Sequence, residues 1–202
     1  EEVVIALSHA GYIKRQPLES YRAQKRGGKG VTGADTKEED FVEELFEATT
    51  HADLLFFTNI GRVFWLKAYQ IPEASRYARG KALANLLRFL EGERVCAAMA
   101  VKKFREGAWL IMGTRQGMVK RIALTEFAHP QSRGVRAIRV IRGDELIGVS
   151  MSDGNHEAIM ATFKGKAIRF REKQVRPMGR NAAGVRGIRL EIHPDLVGPV
   201  EL

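Results

Sequence analysis

Apolar residues along the chain come in short runs, and four of these runs close on the same polar punctuation, Ser/Thr-x-x-Gly. The four copies are Ser8-His9-Ala10-Gly11, Thr58-Asn59-Ile60-Gly61, Thr114-Arg115-Gln116-Gly117 and Thr162-Phe163-Lys164-Gly165. Val3–Leu7, Leu54–Phe57, Trp109–Met112 and Ala158–Ala161 precede them. Segments mixing apolar and basic residues follow: Tyr12–Arg15, Arg62–Lys67, Met118–Ile122 and Lys166–Arg171. Two such runs across a short glycine turn predict a β-hairpin. Ten positions after each turn glycine stands an apolar residue, Tyr21, Ile71, Phe127 or Val175. A second glycine follows at a nearly fixed offset, as Gly30, Gly80, Gly134 and Gly184. The turn glycines are 50, 56 and 48 residues apart, so one supersecondary unit occurs four times over.

Further strand-like stretches, Phe41–Thr49, Val95–Lys102 and Leu146–Ser150, bring each repeat to about four short strands. That period and strand number predict an all-β, propeller-like array of about four repeated four-stranded blades, each burying its faces against its neighbours. The 202 residues then form a single domain, with repeats at approximately 1–50, 51–107, 108–155 and 156–202. A β-sandwich would require four matched turns and four matched glycines to coincide by chance. Leu83–Leu90 is apolar enough for a turn or two of helix, but its alignment with the other repeats predicts a strand. Glu38–Glu47 fits either period and is read as a strand bordered by a solvated acidic loop.

Composition narrows the partner. An apolar fraction of 45% with 28% charged residues is that of an ordinary globular chain. The net charge of +9 and a pI near 9.9 point to a polyanion. By repeat the net charges are −3, +5, +3 and +4, so the excess is spread along the chain and not gathered in a tail. The longest apolar runs, such as Val95–Val101, fall far short of a membrane span, and no membrane partner is expected. A chain that opens on Glu1-Glu2 and enters a strand at once reads as an excised domain without a signal peptide. The lone Cys96 excludes an internal disulfide and a multi-cysteine zinc site, and fits the cytosol.

Cations recur at equivalent places in the repeats. In the second strand they are Lys14 and Arg15; Arg62 and Lys67; Lys120 and Arg121; Lys166, Arg169 and Arg171. Before the second glycine they are Arg26 and Lys29; Arg76 and Arg79; Arg133; Arg176 and Arg180. Repeats set around an axis would line these up as a basic band on the rim, suited to holding bent duplex. Bending about 20–30 bp by roughly 40–90° costs on the order of 1–6 kcal/mol, so several phosphate contacts must offset it. No helix is presented for reading base edges, so backbone contacts with weak sequence preference are expected. The densest cluster is Gln24-Lys25-Arg26-Gly27-Gly28-Lys29-Gly30. There glycines free backbone N–H groups to face a phosphate, and three cations add charge.

Catalytic chemistry is not legible. Gly28-Lys29-Gly30-Val31-Thr32-Gly33 matches G-x-G-x-x-G, with Asp53 twenty residues beyond, but no apolar strand precedes it and no helix pattern follows. His9, His51, His129, His156 and His193 have no close ligand spacing, and no metal site is expected. Cys96 in its apolar run reads as an inert buried thiol, and Trp65 and Trp109 as core residues.

The heptapeptide Gln24–Gly30 resembles the box of the C-terminal domain of the bacterial DNA gyrase A subunit at all seven positions. Leu7-Ser8-His9-Ala10-Gly11-Tyr12, Gln16-Pro17-Leu18, Glu38-Glu39-Asp40-Phe41 and Tyr69-Gln70-Ile71-Pro72-Glu73-Ala74 are similar to the same domain. So are Leu124-Thr125-Glu126-Phe127, Gly143–Val149 and Gly184-Val185-Arg186-Gly187-Ile188-Arg189, so the likeness runs from residue 1 to about 190. It implies a β-pinwheel whose blades borrow strands from their neighbours and which wraps double-stranded DNA on its basic rim. In the family, wrapping supports the ATP-dependent introduction of negative supercoils. It further implies a holoenzyme partnership with the gyrase B subunit and with the N-terminal part of the gyrase A subunit, in the bacterial cytoplasm. ATP and Mg2+ are then used through other domains, with no cofactor and no catalytic residue in this one. The family domain usually has six units. Four units and a stub, Leu196–Leu202, make this a truncated six-bladed disc, an open arc or a smaller ring. The related subunit of topoisomerase IV lacks the intact box, which favours gyrase. The alternative from another class is a propeller-like module that grips an acidic protein.

Overall fold

The computed structural model of the chain describes residues 1–21, 40–190 and 200–201. Each Ser/Thr-x-x-Gly signal folds as a hairpin turn. The glycine N–H donates to the carbonyl of the leading Ser or Thr, at 2.9 Å for Gly11, 2.8 Å for Gly61, and 2.9 Å for both Gly117 and Gly165. The leading hydroxyl then accepts a backbone N–H four residues on: Tyr12 to Ser8, Arg62 to Thr58, Met118 to Thr114 and Lys166 to Thr162. The glycines have φ between 78° and 84°, a left-handed conformation that any Cβ would strain. The signal therefore needs both its ends, a hydroxyl to accept and a glycine to turn.

The strands in chain order are β1 (Glu2–Ser8), β2 (Tyr12–Pro17), β3 (Val42–Thr49), β4 (Asp53–Thr58), β5 (Arg62–Lys67), β6 (Lys81–Ala82), β7 (Val95–Val101) and β8 (Trp109–Thr114). They continue as β9 (Met118–Ala123), β10 (Val135–Arg136), β11 (Leu146–Ser152), β12 (Glu157–Thr162), β13 (Ala167–Arg171), β14 (Val185–Arg186) and β15 (Val200–Glu201). Among the described residues the only helices are single 3-10 turns, and none is long and apolar enough to cross a membrane.

The sheets run β3-β1-β2-β6, β10-β5-β4-β7, β11-β8-β9-β14 and β13-β12-β15. Each of the first three combines a hairpin, the strand that follows it, and a two-residue strand lent by the next repeat. Tyr12 pairs with Ala82, Val63 with Val135, and Val119 with Val185. The second glycine is what lets the lent strand dock. A Cβ on Gly80 would lie 2.4 Å from the Ile13 carbonyl oxygen, and one on Gly184 2.5 Å from that of Val119. The chain beyond the lent strand then returns to the hairpin turn. Ala137 and Ile138 both donate to the Gly61 carbonyl, and Gly187 and Ile188 to that of Gly117.

The chain divides into two compact units, one holding residues 1–55, 65–91 and 98–103, the other the remainder. The first unit contains the sheet of β1, whose residues from Val3 to Ser8 are all buried, a continuous run that means both faces of the strand are covered. The second unit contains the sheets of β8 and β12. Its fourth-repeat core joins Val119, Met160, Val175 and Ile188, packed against Ile111, Phe170 and Met178. Ile71, Phe127 and Val175, the apolar residues after each hairpin, are buried at the ends of the 3-10 turns.

Leu83–Leu90 is not a strand. Pairing stops at Ala82, and Leu83–Asn85 turns into a 3-10 helix that buries Leu83 while Leu90 stays exposed. The segment 38–47 is a strand from Val42 onward; Glu38 and Glu39 lie outside the described residues.

Candidate nucleic-acid interface

The box Gln24–Gly30, with the overlapping motif Gly28–Gly33, lies outside the described residues, as do His193 and most of the terminal stub. The remaining cations fall into three environments.

Lys14, Lys120 and Arg121 are buried, and the structure removes them from a rim. The cause is topological. In the first and third hairpins the next repeat lends a strand to the second strand's edge, and the loop leading into that lent strand lies over the lysine. Lys14 Nζ donates to the carbonyls of Arg76 (2.6 Å), Ala78 (3.0 Å) and Ser75 (3.3 Å). Lys120 Nζ donates to those of Ala137 (2.8 Å), Arg180 (2.9 Å) and Ala182 (3.2 Å). Burial, helped by the nearby Arg76 cation, lowers the Lys14 pKa. Burial pushes Lys120 down to about 8 against the opposing pull of Glu126. Arg121 stacks 4.0 Å over the ring of the half-buried Trp109, with its Nε 3.6 Å from Glu172.

A second set is matched by carboxylates. Arg62 meets buried Glu93 at 2.8 Å, Lys67 meets Asp53 at 2.8 Å, and Arg15 meets Glu73 at 3.4 Å. Arg79 lies 3.9 Å from Asp40 and stacks 3.6 Å over Tyr12, while Arg169 lies 3.7 Å from Glu157. Buried carboxylates also hold the turns. Asp40 accepts from Ser8 Oγ and Ala10 N, Glu93 from Thr58 Oγ1, and Asp144 from Gln116 N. Burial raises the Asp40 pKa, but the bonds from Ala10 and Ser8 and the charge of Arg79 outweigh it, and the net shift is downward.

The third set faces solvent. Arg133, Lys166, Arg171 and Arg176 are exposed, and Arg76 and Arg180 are half-buried. Arg76 Nη2 reaches the Ser20 carbonyl at 3.3 Å, and the Arg133 carbonyl accepts from Arg62. Alongside them stand exposed arginines that the strand-by-strand count of cations passes over: Arg136 and Arg139 in Gly134-Val135-Arg136-Ala137-Ile138-Arg139, and Arg186 and Arg189 in Gly184-Val185-Arg186-Gly187-Ile188-Arg189. Both hexapeptides alternate docked apolar residues with outward arginines, and none of the four arginines is paired with a carboxylate among the described residues. Their sequence signal is the repeat itself, Gly-Val-Arg-x-Ile-Arg.

Other chemistry is sparse. His9, His51, His129 and His156 are exposed, and Cys96 is half-buried on β7. Asp153, His156 and Glu172 offer ligand atoms within 4.8 Å of one another. Glu172 is already committed to Ser152 Oγ at 2.5 Å, His156 N at 2.7 Å and the Arg121 cation, which accounts for its burial as a turn anchor. An open cleft of about 650 Å³ in the first unit is lined by Gln16, Pro17, Ser20, Arg76 and Tyr77.

Comparison with known proteins finds a match to the family model described as "DNA gyrase C-terminal domain, beta-propeller", over residues 2–46, 52–102, 108–153 and 156–191. These four segments fall one to each sequence repeat. The chain is 48% identical over 196 residues to the DNA gyrase A subunit of Haemophilus influenzae, covering 97% of this chain and 22% of that protein. With the DNA gyrase A subunit of Escherichia coli it is 49% identical over 190 residues, covering 94% of this chain and 22% of that protein. It thus spans about a fifth of the length of these relatives. Among solved structures it is similar to the C-terminal domain of DNA topoisomerase IV, with a TM-score of 0.80, 28% identity and coverage of 95% of this chain and 58% of that one. It is likewise similar to the DNA gyrase A C-terminal domain, with a TM-score of 0.72, 25% identity and coverage of 95% and 61%.

Proposed function

The chain belongs to the family of DNA gyrase C-terminal domains, a β-pinwheel of propeller-like repeats, and we propose that it binds and wraps duplex DNA as a non-catalytic part of the gyrase A subunit. The observation that carries this reading is the recurrence, at equivalent positions of successive repeats, of exposed arginines with no carboxylate partner among the described residues, Arg136 with Arg186 and Arg139 with Arg189. Arg133, Arg171 and Arg176 add to them, and the box Gln24–Gly30 supplies three further cations in sequence. Side chains that carboxylates do not neutralise are the ones able to release counterions from a phosphate backbone, which makes the affinity steeply dependent on salt. In the whole enzyme the wrap presents duplex to a strand-passage core, and the gyrase B subunit supplies ATP hydrolysis in the bacterial cytoplasm.

Two measurements test this. A gel-shift titration of plain duplex should show affinity falling by about 10³–10⁵ between 50 and 200 mM salt if roughly 6–10 phosphates are engaged. A flat response together with tight binding to an acidic protein would turn the reading to the interaction module. Replacing Gln24–Gly30 by alanines in the reconstituted holoenzyme should abolish negative supercoiling and leave relaxation intact; unaffected supercoiling removes the wrapping role. The structural likeness to topoisomerase IV favours a second reading, the equivalent domain of that enzyme. The higher sequence identity to gyrase subunits places it behind.

A further inference from the structure

Lys14 and Lys120 occupy the same place in their repeats, the third residue after the turn glycine. They also make the same contacts. Each ammonium donates to the carbonyls four and two residues before the second glycine of the next repeat: Arg76 and Ala78 for Lys14, Arg180 and Ala182 for Lys120. A third carbonyl, Ser75 or Ala137, fills the remaining donor. An ammonium has three N–H donors, so each cage is complete without a carboxylate.

Burying a cation is costly, and the fold does not demand one here. The corresponding residues of the second and fourth repeats are Phe64 and Ile168. What separates the cases is the loop being held. Where the strand carries lysine, the loop carries arginine, Arg76 or Arg180, at the clamped carbonyl; opposite Phe64 that place is Pro130. A proline fixes its own φ, so its loop is stiffened without a clamp. Arginine at that place leaves its own φ free, although Pro72 and Pro177 stand earlier in the two loops, and the lysine holds the carbonyl there from beneath.

We propose that Lys14 and Lys120 are positioning residues for the phosphate-binding surface, each pinning the backbone of an arginine-bearing loop so that Arg76 and Arg180 meet duplex DNA from fixed places. This rests on the duplex reading above and adds how part of that surface is held in register. It makes buried strand positions contributors to a contact they never touch.

The test uses the full chain with Lys14→Met and Lys120→Met, which keep an unbranched stem out to the ε position and delete the ammonium. Two independent sites guard against one variant failing to fold, and circular dichroism fixes a temperature at which each is native. Deuterium uptake of the backbone should rise about tenfold or more at 75–79 in the first variant and at 178–184 in the second, a factor that corresponds to about 1.4 kcal/mol of local opening. The loop 128–134 should be unchanged in both. Duplex affinity should fall with a shallower salt dependence, by about 0.9 in slope for each phosphate no longer engaged. A purely structural lysine would lower the melting temperature and leave that slope alone. Unchanged exchange at the clamped loops, with wild-type binding intact, overturns the clamp. Faster exchange with an unaltered salt slope overturns the positioning role. A wild-type chain that ignores duplex at low salt instead overturns the duplex reading beneath it.

Discussion

Two turn glycines with the same backbone conformation should respond differently to one added methyl group. Gly117 has φ +84° and Gly165 has φ +78°, so alanine at either incurs the left-handed backbone penalty of roughly 1–2 kcal/mol. Around Gly165 no described atom lies within 4 Å of the new Cβ, and the cost should end there. At Gly117 the Cβ would stand 2.4 Å from the Ile188 carbonyl oxygen and 2.9 Å from Ile188 Cγ2. Neither atom yields without moving the segment that Gly187 and Ile188 fasten to the Gly117 carbonyl at 2.9 and 3.1 Å. Losing those bonds costs about 0.5–1.5 kcal/mol each. Unseating Ile188 from Val119, Met160 and Val175 adds about 1–2 kcal/mol, the low end of a core truncation. Gly117→Ala should therefore destabilise by about 2–5 kcal/mol more than Gly165→Ala. Urea unfolding followed by circular dichroism measures the difference. Thermal midpoints should part by at least about 4 °C, at roughly 2–4 °C per kcal/mol for a chain of this size. If the two variants agree within about 1 kcal/mol, docking of the next repeat on the turn is not a source of stability and the reasoning fails.

Three further outcomes follow from single sites. Because the Asp40 pKa is lowered on folding, its contribution is present at neutral pH and lost as pH falls through that depressed value; Asp40→Asn should remove about 1–3 kcal/mol near pH 7 and flatten the acid limb of a urea-midpoint profile. For Lys120, lowered from 10.5 to about 8, the unfolded chain holds the extra proton between these values, so stability from this group rises with pH across that window. Lys120→Met should lack the rise when its urea midpoints are compared with wild type from pH 7 to 10.5. Arg186→Ala with Arg189→Ala should reduce the salt slope of duplex binding by about 0.9 for each phosphate released, with the thermal midpoint nearly unchanged since both side chains are exposed.

The hairpins are legible in the sequence because their turn signal carries its own mechanism: a hydroxyl, two free positions and a glycine, four times over. The lent strands are harder to see. Lys81–Ala82, Val135–Arg136 and Val185–Arg186 are two residues each, too short for any alternation to register. That same brevity explains why the charge pattern misleads. Lys14 and Lys120 stand in sequence like surface cations, and only the strand arriving from the next repeat turns their strand into a central one. Conversely, Arg136 and Arg186 look like punctuation after a glycine, yet they sit exposed on the lent strands themselves. Carboxylate partners are hidden for a similar reason, since Glu93 reaches Arg62, and Glu172 approaches Arg121, across 31 and 51 residues of chain.

Because every sheet in the first three repeats is finished by material from the one that follows, the exchangeable module is out of phase with the visible one. Cutting the gene between hairpins, for instance after residue 155, would strip β9 of its outer neighbour and leave the Lys120 ammonium with a single acceptor. A splice placed just beyond a second glycine and its two-residue strand, after Arg136 for example, would leave the sheet behind it whole. Gain or loss of a blade, by recombination or by a protein engineer, should succeed at that offset and fail at the turn-to-turn boundary that the repeats advertise.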